Sequence, residues 1–299
     1  MLTVRSNFSE GRLVNLGVAL HRPNVTRLFL GKTPEEVVKT VPLLYAVCAH
    51  AQRAAAQTAL DAARGRLPGS PESTTGLWTE MLHENLWRLL LDWPVALGLP
   101  AAKDAFVAWR TERHGDTSAE LTEQLCNGLV PDLSAQCLAR IPLSEDAKAY
   151  QSAWMEPKVW LQHCLTGTGQ MPTLGPPSSV RAAYQARIVQ LREAASARAS
   201  QRPYPVASAS ASASASGWGV AQVVTARGVL THAAQVVDGR VTAYRVWAPT
   251  DIYFSDSSAL LALLAHGTYE SAQQARSALA LAVLALDPCV PFEVELSDA

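Results

Sequence analysis

Apolar residues in this chain follow two periods, and the switch between them limits the class of fold. Val14, Leu16, Val18 and Leu20 fall at every second position, the spacing of a half-buried strand. From about residue 34 to residue 200 the spacing lengthens to three and four. Leu77, Trp78, Met81, Leu82, Leu86, Leu89 and Trp93 share one helical face. After residue 217 the period returns to two. Trp218, Val220, Gln222 and Val224 alternate, and 229–237 and 240–247 read as strands joined by Asp238-Gly239, a strong hairpin signal. Helical spacing resumes at about 256–265 and 271–286. The pattern predicts an α+β protein, mainly helical, with a small antiparallel sheet from N- and C-terminal segments. Residues 1–299 read as one domain.

Local signals refine this outline. Val25 to Gly31 reads as a second strand ending at a glycine. Thr33-Pro34-Glu35-Glu36 is a helix start, with threonine as N-cap and proline at the first helical position. A helix is predicted over Ala49–Arg64 and a loop over 65–73, while Pro94 ends or kinks the apolar helix. Shorter helices are predicted at about 101–114, 118–127, 145–153 and 157–165. A longer one runs over 178–200, with arginines 181, 187, 192 and 198 mostly on its solvated side. Five Ala-Ser dipeptides fill Ala207 to Ser216. So little side chain predicts a flexible loop or linker over 200–216.

The chain has 299 residues, ample for a large core. Its net charge of -1 argues against a nucleic-acid partner, which needs a basic face. No apolar run reaches membrane-spanning length, and no export signal is visible near Met1. The five cysteines, at 48, 126, 137, 164 and 289, are odd in number and none has CxxC spacing. This argues against a disulfide framework and for a cytoplasmic location. Cys126, Cys137 and Cys164 read as small buried hydrophobes.

Cys289 lies just past a helix end, after Pro288. Cys48 lies ahead of another helix. If the two meet, they form a two-thiolate site suited to soft or borderline metals. If they do not, each is a packing residue. His83-Glu84 does not make the HExxH zinc motif, because Trp87 occupies its last position.

Several segments resemble nickel–iron hydrogenase large subunits. Asp287-Pro288-Cys289 resembles their DPCxxC ending, and Leu44 to Cys48 the RxCGxC element. Ser9-Glu10-Gly11-Arg12-Leu13 is similar to their opening glutamate-glycine segment. Thr225 to His232 is similar to the PRGxxGH strand. Asp238-Gly239-Arg240-Val241 and Trp247-Ala248-Pro249-Thr250 resemble the next hairpin and its VPT/S end. The order is the same, and the elements span nearly the whole chain. The run from Glu84 to Pro94 also resembles the accessory proteins of the HupK/HoxV type, large-subunit-like scaffolds for hydrogenase assembly.

The departures matter as much. The first N-terminal cysteine position falls on Tyr45, the second C-terminal one on Phe292, and the CxxxH histidine on Gln52. Tyrosine and phenylalanine do not replace thiolates as soft ligands. Cys48 lines up with a bridging cysteine, and Cys289 with a terminal nickel position. The resemblance therefore implies no hydrogen turnover, no nickel, and no proteolytic maturation near Glu295. It implies a scaffold that transiently binds the Fe(CN)2(CO) group through Cys48 and Cys289. Arg227 and Thr250 would donate to the cyanides, Asp92 would pair with Arg227, Glu10 would take the proton-relay position, and His50 would stand beside the site. Implied partners are maturation chaperones, cofactor-assembly proteins and the large-subunit precursor. An alternative is a cofactor-free mimic of the large subunit that binds the chaperones; a third reading is a divergent single-metal enzyme. Bland roles stand beside these: a capping histidine at His50, a surface or helix-end charge at Asp92, a solvated strand-edge charge at Glu10, and a structural donor at His232.

Overall fold

A computed structural model describes residues 1–66, 73–142, 156–166, 175–211, 217–265 and 267–298. Strands β1 (Leu2–Ser9) and β2 (Arg12–Leu20) form a hairpin. Glu10 (φ 49°) and Gly11 (φ 76°) turn it in the left-handed region, as a two-residue hairpin requires. Residues Val25–Phe29 form a 3-10 turn in place of the expected strand. Phe29 is buried while Leu28 and Leu30 are exposed, so one anchor replaces an alternating face. That anchor packs edge-on to Tyr244, with ring centroids 4.8 Å apart.

Helix α1 (Pro34–Leu44) starts where predicted. Thr33 N–H donates to Glu36 Oε2 (2.7 Å), and Glu36 N–H donates to Thr33 Oγ1 (3.3 Å). A 3-10 turn, Ala46–Cys48, leads into α2 (Ala49–Ala63). The apolar helix is α3 (Thr74–Trp87), which continues through a π-helical turn, Arg88–Asp92, into α4 (Trp93–Ala96). Pro94 has no N–H for the Leu90 carbonyl, and Ala102 N–H takes that acceptor at 2.8 Å. Among the described residues, α5 (Lys103–Glu112), α6 (Ser118–Gln124), α7 (Val130–Arg140) and α8 (Pro157–Thr166) follow. The predicted helix 145–153 lies outside the described residues. Helix α9 (Val180–Ala199) packs along α3.

Next come β3 (Val206–Ser210), β4 (Trp218–Thr225), β5 (Gly228–Val237) and β6 (Arg240–Trp247), an antiparallel sheet in the order β3-β4-β5-β6. The loop reading of 200–216 is corrected over Val206–Ser210, which pair with β4 from Val206↔Val223 to Ser210↔Gly219. Ladder hydrogen bonds come from the backbone, so a tract with small side chains still serves as an edge strand. Residues 212–216 lie outside the described set. Asp238 (φ 49°) and Gly239 (φ 74°) make the predicted hairpin turn.

Helices α10 (Pro249–Tyr253), α11 (Ser258–Leu264) and α12 (Ala272–Leu286) precede β7 (Phe292–Asp298). The α+β, mainly helical class holds, but the strands divide into two sheets. The smaller has the order β2-β1-β7, and β7 runs parallel to β1, with Leu2 opposite Phe292. A parallel pair needs a long connection, and here nearly the whole chain lies between the partners. Leu2 and Val4 pack against Leu279, Val283 and Leu286 of α12. Ala51, Ala55, Ala56 and Ala59 of α2 are buried against the larger sheet. These small side chains let the helix backbone approach the strands closely. No helix among the described residues is long and apolar enough to cross a membrane.

Candidate functional site

The last helix ends in an unusual cap. Asp287 takes a left-handed conformation (φ 49°, ψ 66°), and its N–H bonds the Val283 carbonyl at 3.1 Å. Its side chain turns into the protein. Arg88 Nε donates to Oδ1 at 2.6 Å and Arg187 Nη2 to Oδ2 at 2.5 Å, while Arg227 Nε lies 3.6 Å from Oδ2. Burial alone would raise this carboxyl; Arg187, Arg227 and Arg88 outweigh it and hold Asp287 well below the usual carboxylate range. Arg88 Nη2 also donates to the Pro288 carbonyl at 2.9 Å. The segment leading to Cys289 is thus pinned on its inner side.

Cys289 is held by the neighbouring loops. Its N–H donates to Thr250 Oγ1 (3.0 Å), and that hydroxyl donates to Cys289 Sγ (3.2 Å). Arg22 Nη2 donates to the same sulfur at 2.6 Å, while Arg22 Nη1 donates to Asp251 Oδ1 at 2.8 Å. Arg22 follows β2 at the end of the hairpin where Leu2 meets Phe292. Thr250 is fully buried near the start of α10.

Cys48 enters from the 3-10 turn before α2. Gln52 Nε2 donates to its sulfur at 3.5 Å. Burial, helped by Glu80 and Cys289 and opposed by Arg227, pushes the Cys48 thiol up to about 12. Glu80 of α3 caps α2, accepting from His50 N–H (2.8 Å) and Ala51 N–H (3.0 Å). Burial pushes Glu80 up to about 7, against the pull of those two N–H groups.

Arg227 lies within electrostatic reach of both thiols. Its Nη2 donates to Glu84 Oε2 at 2.5 Å, and its buried Nε has no hydrogen-bond partner. Burial works against its charge, and Asp287, Glu84 and the two cysteines more than restore it, so Arg227 stays firmly cationic.

The structure brings Cys48, Cys289, Arg227 and Thr250 to one place. Asp92 stands one step out: it pairs with Arg88, and Arg227 takes Glu84 and Asp287 as its partners. The π-helical turn between Arg88 and Asp92 shifts Asp92 along the helix, leaving its side chain 31% exposed. His50 contributes only its backbone N–H. Its ring lies over Gly76, where an added Cβ would come within 2.9 Å. Glu10 sits in the exposed hairpin turn, eight residues along β1 from the Leu2 end. At about 3.3 Å per residue it is roughly 25 Å from that end, too far to relay a proton at Cys289. Arg187, read as solvated, is buried on Asp287 and Asn85.

Tyr45 closes α1, its phenol pushed up to about 12 mainly by burial, and Phe292 opens β7. Among the described residues, no three His, Cys, Asp or Glu side chains are grouped to hold a metal ion. Arg22, Glu80, Glu84 and Arg88 escape the sequence reading, although Glu80, Glu84, Arg88 and Asp92 recur every four residues along one apolar helix.

Comparison with known proteins gives the family background. No family model matches the chain. HupK of Azotobacter vinelandii, a hydrogenase expression/formation protein, is 30% identical over 346 residues, covering 100% of this chain and 99% of that protein. HupV of Azotobacter chroococcum mcd 1, of the same description, is 29% identical, with 100% and 99% covered. HoxV of Cupriavidus necator is 24% identical, with 100% and 97% covered. Among solved structures, the [NiFeSe]-hydrogenase of Dm. baculatum superposes with a TM-score of 0.62 at 12% identity, with 94% of each chain covered. An NAD+-reducing [NiFe]-hydrogenase gives 0.53 at 13% identity, with 93% of each covered. These likenesses identify the fold as that of a nickel–iron hydrogenase large subunit.

Proposed function

The chain belongs to the HupK/HupV/HoxV family of hydrogenase expression/formation proteins, and from that premise we propose that it is a maturation scaffold, transiently holding the Fe(CN)2(CO) group during assembly of the large-subunit active site. The iron group is cargo, received and passed on.

The observation that carries this reading is that two free thiols, from opposite parts of the chain, lie within electrostatic reach of each other and of one buried arginine. Thiolates suit a soft, cyanide-bound iron. Cyanide nitrogens accept hydrogen bonds, and the pocket is rich in donors. The buried Arg227 Nε makes no hydrogen bond, its ion-pair partner Asp287 Oδ2 lying 3.6 Å away, so it has a donor to offer. The Thr250 hydroxyl and Arg22 guanidinium stand beside Cys289. Binding iron displaces the Cys48 proton, and Arg227 stabilises the thiolate that results. Tyr45 and Phe292 offer no thiolate for a second metal, so the scaffold carries iron without nickel and does not turn over hydrogen. Exposed Leu43, Leu44 and Val47, just ahead of Cys48, give a maturation chaperone or the large-subunit precursor an apolar landing near the thiol.

The test is infrared spectroscopy. Protein co-produced with the maturation machinery and purified without oxygen is expected to contain iron and to show bands of bound cyanide and carbonyl. Cys48→Ala and Cys289→Ala are each expected to lose them. A wild-type protein without bands overturns the cargo reading. Full hydrogenase maturation with both cysteines replaced would instead support a cofactor-free mimic that engages the chaperones.

A further inference from the structure

Behind Cys48, a line of buried polar side chains leads away from the sulfur. Gln52, one turn along α2, donates from Nε2 to Cys48 Sγ at 3.5 Å. Its Oε1 lies 2.9 Å from His232 Nε2, and His232 Nδ1 lies 2.8 Å from the Tyr244 hydroxyl. Gln52 is 2% exposed and His232 fully buried. Three elements supply these groups: α2, β5 and β6.

The chemistry of the groups gives the chain a direction. An amide oxygen only accepts, so His232 carries its proton on Nε2, and its Nδ1 accepts from Tyr244. The imidazole is neutral, because burial pushes it down to about 3. Each donor then meets one acceptor, in the order Tyr244, His232, Gln52, Cys48.

We propose that Gln52 is a positioning residue for Cys48: the chain from Tyr244 through His232 fixes its carboxamide so that an N–H, and not the carbonyl, meets the sulfur. The sulfur is held as an acceptor on its inner side, and its remaining lone pairs face the pocket. A carboxamide turned the other way would accept from an S–H group and aim the sulfur inward. Glutamine, at the position where the resemblance expects histidine, keeps a donor toward sulfur and adds an oxygen that ties it to His232. The use of this alignment rests on the scaffold reading; the alignment itself does not.

The test uses the full-length, metal-free protein. Alkylation by iodoacetamide is followed at each cysteine by peptide mass spectrometry, and the His232 tautomer by nitrogen-15 NMR. The His232 proton is expected on Nε2. Gln52→Leu is expected to slow alkylation of Cys48 by about tenfold while Cys289 stays within about twofold, the loss of one hydrogen bond to sulfur. Gln52→His presents an N–H to sulfur and a ring acceptor to His232, and is expected to restore the wild-type rate. If Gln52→Leu does not fold, Gln52→Glu, which places only acceptors against the sulfur, is expected to slow Cys48 at least as much. An unchanged Cys48 rate, an equal change at both cysteines, or a proton on Nδ1 overturns the proposal. These readouts need no iron, so absent infrared bands would sink the scaffold reading and leave this result standing.

Discussion

A left-handed backbone normally favours glycine, because a Cβ there crowds the next carbonyl and costs about 1–2 kcal/mol. Position 287 is aspartate instead, and its carboxylate meets three buried guanidiniums. Removing the carboxylate leaves those cations uncompensated. Asp287→Gly is therefore expected to destabilise the protein by about 3–5 kcal/mol in thermal or denaturant unfolding, despite the relaxed backbone. Asp92→Asn, at a side chain 31% exposed, is expected to lose under about 1 kcal/mol. A larger loss at Asp92 than at Asp287 would contradict the ion-pair arrangement. The resemblance, through motifs that keep their order, singled out Cys48, Cys289, Arg227 and Thr250, which the fold brings near one another. Asp92 was misassigned because spacing along a helix does not reveal a π-helical turn, which changes where a side chain points.

At the scale of elements, the alanines of α2 explain how helix and sheet approach so closely. A Cβ added at Gly219 of β4 would fall 2.2 Å from the Ala59 carbonyl oxygen and from Ala63 N, both backbone atoms that cannot swing aside. Gly219→Ala is expected to push α2 off the sheet, at about 1–3 kcal/mol or more in unfolding measurements, and to disturb Cys48 at the helix start. Gly239→Ala meets no neighbouring atom but strains a left-handed turn (φ 74°), so its effect should stay within the hairpin. The main helices and the 229–247 hairpin were readable because their periods are strong. The edge strand β3 was not, because ladder hydrogen bonds leave no mark in an Ala-Ser repeat. Glu84 and Arg88 escaped the sequence reading because their inward direction depends on distant partners, Arg227 for Glu84 and Asp287 for Arg88.

At the scale of the molecule, two buried groups set opposing pH dependences. Burial pushes His232 down to about 3, so below its unfolded value near 6.5 the unfolded chain takes up a proton that the folded one refuses. That term lowers stability as pH falls. Burial pushes Glu80 up to about 7, so the folded chain takes up a proton on the way to the unfolded value near 4.5. That term raises stability as pH falls, and it is lost again as pH rises through 7. Between pH 6.5 and 5 the two nearly cancel. Glu80→Gln keeps an oxygen for the α2 cap and removes the second term. Its unfolding free energy is expected to fall by about 2 kcal/mol more than wild type between pH 6.5 and 5, and parallel curves would refute the assignment.

The parallel pairing of β7 with β1 also has a consequence in time. Leu2 meets Phe292, three residues beyond Cys289, so the first strand emerges from the ribosome long before its partner. At about 5–20 residues per second, β1 waits roughly 15–60 s for β7. The Cys48 side of the pocket exists early as a half-socket, and Arg22, Thr250 and Arg227 all appear before the second sulfur does. The pocket is therefore complete only once β7 has been made and has found β1, and its two sulfurs join it at widely separated times.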